Sequence, residues 1–354
     1  MKKYSAIGID VSDKDMKVVG LNAEGETEWK HVVACRKSAV ITVFGKIEAC
    51  VIALETGGHT GWLARALMEL GHEVVIANAR KVRAISANER KSDWIDAEIL
   101  ARLVRTDRKL LHPVTLRTAQ TQADMMVIKA RDVVVRTRAT MVNAARSLVK
   151  GRGERVGPCD TVSFVKRCRK EIAPETVALL EPLLATIESH TETVKGYDKM
   201  IHTIAGSERY AKAVEQISQV AGVGELTALN FALTIEEPKR FLKARDAGSF
   251  LGMIPRRDQS GEVDKQLGIT HAGNTMMRRL LVGSAHYIMG PFGPDCNLRR
   301  FGERLVTRGG KNAKKRAVVA VARKLAILLL KLWQSGQPYE PLHVRVAPTK
   351  KRAA

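Results

Sequence analysis

Cysteine is scarce and unpatterned in this 354-residue chain. The five cysteines are an odd number with no C-x-x-C pair, which excludes both a disulfide framework and a zinc ribbon. Long apolar runs are absent as well. The most hydrophobic stretch, Ala317–Trp333, is broken by Arg323 and Lys324, and falls short of the ~20 apolar residues that a membrane span requires. The first residues, MKKYSAIGID, lead straight toward a strand rather than a secretory h-region. A reducing cytoplasm is the expected compartment, and no membrane partner is expected.

The second shortage is of acid. Against 59 Lys+Arg stand 37 Asp+Glu, leaving a net charge of +22, an excess that favours a polyanionic partner. With 45% hydrophobic residues the chain can still build real cores. The charge is unevenly placed: residues 1–100 hold 14 basic and 14 acidic side chains, and residues 101–354 hold 45 and 23. A neutral front suits a module that concentrates carboxylates, and a basic remainder suits phosphate contacts. Solvated basic helix faces are the plainer account of the same numbers.

In the front module, apolar alternation marks strands at Ser5–Val11, Lys17–Leu21 and Glu28–Ala34, with short turns between them. A helix near Ser38–Glu48, a strand Cys50–Glu55, a helix Gly61–Leu70 and a strand Glu73–Ala77 follow, then helices over Arg80–Ala87 and Asp93–Val104. The order β-β-β-α-β-α-β-α describes a mixed α/β sheet and is that of a ribonuclease H-like domain. Asp10 ends the first strand and Glu55 the fourth, each after buried apolar residues. Asp93 and Asp96 lie three apart, on one helix face. Singly, such acids are caps, turn residues or a solvated face. Gathered together they would repel unless cations sat between them. Mg²⁺ takes hard oxygen ligands, and a pair of ions ~4 Å apart can clamp both oxygens of a phosphodiester displacement.

The segments Gly8-Ile9-Asp10-Val11-Ser12, Leu54-Glu55-Thr56-Gly57-Gly58 and Lys91-Ser92-Asp93-Trp94-Ile95-Asp96-Ala97 resemble the three blocks of the DEDD transposases of bacterial insertion sequences, the Piv/MooV-like or "IS one-ten" type. That resemblance implies a RuvC-like domain over residues 1–112 with Asp10, Glu55, Asp93 and Asp96 as the Mg²⁺-binding tetrad. Residues 113–214 read as helical: Thr118–Lys150 is one long pattern, and a second carries heptads at Leu180, Ile187, Val194 and Ile201, with Leu183, His190, Tyr197 and Ile204 three residues after each. Such a coiled-coil stalk can pack within the chain or on a second subunit.

Residues 215–336 carry Gly222-Val223-Gly224 before a helix, then Gly252-Met253-Ile254-Pro255, Ser260-Gly261, Gly268-Ile269-Thr270-His271-Ala272-Gly273-Asn274 and Arg278-Arg279-Leu280. These elements resemble the C-terminal transposase domain of the same family, which implies that Ser260 is a nucleophile forming a phosphoserine link to DNA. By residue type alone Ser260 is a loop serine. Arg256, Arg257, Lys265, Arg278 and Arg279 are candidates for phosphate contacts, and the tail 337–354 for an electrostatic anchor. The resemblance further implies an insertion-sequence recombinase acting on target and donor duplex DNA, guided by a noncoding bridge RNA, assembled as a dimer or tetramer and resident on the nucleoid. A junction resolvase using metal-activated water and a non-catalytic scaffold are the alternatives. A sugar-kinase or actin-like ATPase needs a second glycine-rich phosphate loop, and none follows residue 113.

Overall fold

A computed structural model describes residues 1–82, 92–260 and 263–342. The chain divides into two compact units, Met1–Ala119 and Gln120–Ala354. Among the described residues, no helix is long and apolar enough to cross a membrane.

The first unit is built on a five-stranded sheet of order β3-β2-β1-β4-β5. β1 (Ala6–Val11), β2 (Asp15–Leu21) and β3 (Thr27–Ala34) form an antiparallel meander, and β4 (Val51–Glu55) and β5 (Glu73–Ala77) run parallel to β1. Alternation decides what each face meets. Ile7, Ile9, Ile52 and Leu54 pack with Phe44 of α1 (Lys37–Phe44) and with Leu63 and Leu67 of α2 (Thr60–Glu69). Ala6 and Ala53, of opposite parity, pack with Leu100 and Val104 of α3 (Asp93–Thr106). Small residues on this second face let α3 approach closely. A Cβ on Gly8 would stand 1.9 Å from the Ala97 carbonyl oxygen. The sequence-based helix over Arg80–Ala87 falls largely on residues 83–91, outside the described residues, as does Lys91 of the third motif block.

In the second unit, α4 (Ala119–Gly151) and α6 (Pro174–Ala205) are the two long helices that the sequence predicts, with α5 (Phe164–Glu171) between them. They pack on each other antiparallel within the chain. Arg131 Nε donates to Asp198 at 2.5 Å, Arg138 Nη1 to Thr191 Oγ1 at 3.1 Å, and Arg152 Nε to Thr176 Oγ1 at 2.8 Å. Leu180, Ile187, Val194 and Ile201 are buried as the heptads require. The companion row differs from expectation. Leu184, Thr191 and Ala205, four residues on, are buried, and Leu183, His190 and Tyr197 are only half-buried. The reason is a helix face broader than a strict coiled-coil seam.

The remaining helices are α7 (Ala211–Ser218), α8 (Glu225–Ile235), α9 (Asp246–Phe250), α10 (Thr275–Met289), α11 (Asn297–Thr307) and α12 (Ala313–Ser335). They enclose one core in which Val321, Leu325 and Leu329 of α12 lie against Phe231, Leu281 and Ala285. A two-stranded antiparallel ribbon, β6 (Pro255–Ser260) and β7 (Val263–Ile269), interrupts the helices. The sequence shows turns there, not strands. All five cysteines are free thiols, and burial pushes the Cys50 thiol up to about 11.

Candidate active site

All four predicted acids come to one face and one end of the sheet. Ile9 and Leu54 are paired across the parallel β1/β4 register. Asp10 and Glu55, each one residue beyond the last pair of that register, lie on the opposite face from Ile9 and Leu54. That is the face α3 covers. The helix runs against β1: Ala97 and Ala101 lie over Gly8, and Leu100 and Val104 lie by Ala6. Its N-terminal turn, with Asp93 and Asp96, thus lies toward the strand ends that bear Asp10 and Glu55. Lys17, directly opposite Asp10 in the β1/β2 pairing, sits 5.8 Å from the Trp94 ring at the start of the same helix.

Asp93 is exposed and Asp96 is 6% exposed. First-turn acids are favoured by the helix dipole, which explains why the helix tolerates them but not why one carboxylate is buried at a costly site. Among the described residues no three His, Cys, Asp or Glu side chains are close enough together to hold a metal ion. The acids therefore share a corner without closing on a common point.

Thr60, His59, Trp62 and Asp13 also shape this corner, and motif reading passes over them. Thr60 Oγ1 donates to the Glu55 carbonyl at 2.8 Å and accepts from Gly57 N–H at 2.6 Å, which fixes the chain as it leaves β4. His59 accepts at Nδ1 from Trp62 Nε1–H at 3.1 Å, so its Nε2–H is directed to Asp13, 3.3 Å away in the β1–β2 turn. This contact ties together the two loops that follow Asp10 and Glu55. Its only sequence signal is polar residues just past a strand end.

Ser260 closes β6, paired with Val263, next to the hairpin turn. Gly261 of the Ser-Gly pair lies outside the described residues. The surrounding motif residues build the base of the ribbon. Gly252 and Gly273 take φ of 67° and 71°, and a Cβ on either would meet backbone, at 2.2 Å from the Ala272 oxygen and 2.4 Å from the Phe250 oxygen. Arg278, 7% exposed, donates to the Leu251 carbonyl at 3.2 Å, to the Ala272 carbonyl, and to Thr275 Oγ1 at 2.9 Å. Asn274 caps α10, accepting from Met277 N–H at 3.0 Å.

The five predicted phosphate-contacting cations therefore divide. Arg278 is buried beneath the ribbon and holds its base together, which replaces the surface contact expected for it. Arg257 pairs across the ribbon with Asp264 (Nε to Oδ1, 3.3 Å), and Arg279 pairs with Asp132 of α4. Arg256 and Lys265 are exposed. Replacing Arg278 with Met strands two carbonyls and a hydroxyl and is expected to cost about 2–4 kcal/mol of stability. Arg256→Gln is expected to leave the unfolding midpoint within error, and denaturant titration of both variants checks the contrast.

Residues 7–152 match the DEDD_Tnp_IS110 family, described as transposase, and residues 214–295 match the family described as Transposase IS116/IS110/IS902. Together the two matches cover more than half of the chain. The chain belongs to the IS110 family of DEDD transposases. Its similarity to the transposase of insertion sequence IS1111A from Coxiella burnetii is 25% identity over 96% of this chain and 92% of that protein. The IS1328 transposase of Yersinia enterocolitica is 26% identical over 82% of this chain and 85% of its own length. The pilin gene-inverting protein of Moraxella lacunata is 26% identical over 35% of this chain and 38% of its own. As an IS110-family member the chain is an enzyme that cleaves and rejoins DNA.

Proposed function

We propose that this IS110-family transposase excises and inserts its element by a Mg²⁺-dependent serine mechanism. The single observation that carries the reading is the gathering of Asp10, Glu55, Asp93 and Asp96 at one corner of the sheet. The sheet order and the strand-end acids support a ribonuclease H-like, RuvC-like domain. By donor chemistry the set suits Mg²⁺, since all four side chains would offer hard carboxylate oxygens, while no three of them stand within metal-holding distance in this structure. When bound there, Mg²⁺ supplies Lewis-acid stabilisation of charge on the phosphodiester oxygens.

The chain's own groups do the rest. Asp10, Glu55, Asp93 and Asp96 would hold the metal, and Thr60 fixes the exit of the strand bearing Glu55. Ser260 Oγ bonds to phosphorus, losing its proton, as the bridging sugar oxygen leaves and is protonated. The product is a phosphoserine link that a second strand's hydroxyl later resolves. We assign residues 1–112 to metal chemistry, 113–214 to a helical spacer, 215–336 to the serine-bearing domain and 337–354 to an anchoring tail.

Two partners follow from surface properties. The +22 charge exceeds what a short DNA site needs and supports a bound bridge RNA that delegates sequence choice to base pairing. Large apolar side chains stand exposed on the long helices, at Met126 and Leu148 on α4 and Leu179 and Met200 on α6. They support self-association into a dimer or tetramer, with the acids and the serine of one site drawn from different subunits.

Ser260→Ala tests the nucleophile. Incubated with element-junction DNA and Mg²⁺, the parent protein is expected to form a covalent DNA adduct that survives denaturing electrophoresis, and the variant none. Strand cleavage persisting in the variant at the parent rate would assign the reaction to activated water, as in a junction resolvase.

A further inference from the structure

The C-terminal end of α11 and the turn into α12 lie beyond the segment that matches the transposase family, which stops at residue 295. From Arg304 to Arg316 the chain has six basic residues and no acid. Arg304, Arg308, Lys311, Lys314, Lys315 and Arg316 are all exposed. Only Arg316 is drawn inward, donating to the Gly309 carbonyl at 3.1 Å.

The acids nearby are already engaged: Glu303 with Arg299 at 2.9 Å, and Asp295 with Arg300 at 2.9 Å. No carboxylate of the described residues pairs with Arg304, Arg308 or Lys311. Unpaired like charges this dense destabilise a surface through self-repulsion, and a polyanion relieves them.

The presentation is rigid. On the opposite side of α11, Gly302 sits so close to α10 and α12 that a Cβ would meet Met289 Sδ at 2.8 Å and Val321 Cγ2 at 2.9 Å, and Lys324 of α12 lies 3.8 Å over the Phe301 ring. Left-handed conformations at Gly309, Gly310 and Asn312 turn the chain sharply into α12. Arg300, Glu303, Arg304, Thr307 and Arg308 line an open groove of about 590 Å³, with Glu303 held by Arg299. Cations four residues apart advance ~6 Å along a helix, close to two phosphate steps of ~3.4 Å along one DNA strand.

We infer that this face, α11 with the turn into α12, is a phosphate-backbone docking surface for duplex DNA. It contacts the sugar–phosphate strand without reading bases and anchors the DNA independently of the chemistry. The inference rests on the DNA-processing function of the family but on neither catalytic group.

The test is binding of a 30-base-pair duplex of arbitrary sequence to the full chain, followed by fluorescence anisotropy across a salt series. Neutralising Arg304, Arg308 and Lys311 together to Gln is expected to reduce the slope of log affinity against log salt by about 2–3, roughly one per lost phosphate contact. Charge-preserving Arg304→Lys/Arg308→Lys/Lys311→Arg is expected to keep the parent slope. The titration is run without Mg²⁺ and reads binding alone, which separates failure of this surface from failure of the catalytic reading. An unchanged slope in the neutral variant overturns the inference. So does an equal loss in the charge-preserving variant, or a loss seen with structured RNA and not with duplex DNA.

Discussion

Asp10→Asn is expected to lower strand cleavage by about a thousandfold and leave the unfolding midpoint unchanged. The substitution is nearly isosteric and lies at a half-buried strand end, so the sheet has no reason to rearrange. On the proposed mechanism it removes a hard anionic ligand at the corner shared with Glu55, Asp93 and Asp96. Losing about 4 kcal/mol of charge stabilisation in the transition state corresponds to that rate. The measurement is single-turnover cleavage of element-junction DNA at saturating Mg²⁺, with circular dichroism to report the fold. A rate within threefold of the parent would mean that the corner is a structural coincidence, and that the first-turn acids of α3 serve only its dipole.

Gly8→Ala carries the largest expected effect on stability. Nothing flexible stands in the way of the new methyl group: its nearest neighbours are the Ala97 carbonyl oxygen at 1.9 Å and the Ala101 backbone nitrogen at 2.6 Å. Helix α3 must lift off the sheet. Overpacking of a core ordinarily costs about 1–3 kcal/mol, and a backbone-to-backbone clash lies at or above the top of that range. Because Asp93 and Asp96 ride on the displaced helix, cleavage is expected to fall with stability. Urea titration checks the first effect, and cleavage assayed well below the midpoint checks the second. A variant as stable as the parent would show that α3 does not rest on β1 as described.

The elements that could be read from sequence are those whose pattern matches their burial. β4 and β5 are apolar runs covered on both faces, and the turn Asn22–Gly25 is set by a glycine at φ 91°. Asp10 and Glu55 were legible because each follows an apolar strand run, and Asp93 and Asp96 because they lie three apart at a helix start. The β6–β7 ribbon was not, since Arg256, Arg257, Asp258 and Gln259 are all exposed and show no alternation for a core to impose. The α6 companion row was misplaced for a related reason: Leu183 and Leu184 are equally apolar, and only the path of α4 decides which is covered. Arg278 is chemically indistinguishable from Arg279 in the sequence. A burial difference set by Leu251 and Ala272, some distance away in the chain, makes one a strut and leaves the other at the surface.

The ribbon base has a mechanical meaning. The five steps from Pro255 to Ser260 at ~3.3 Å each carry Ser260 about 16 Å along β6 from the end that Gly252, Gly273 and Arg278 grip. The ribbon is a lever with its fulcrum in the helical core. A tilt of about 10° at that fulcrum sweeps the tip by roughly 3 Å, and misplacement by 1 Å already costs a reaction about a hundredfold. Under the proposed serine mechanism, aim is set at the root of the ribbon by Gly252, Gly273 and Arg278 rather than at its tip.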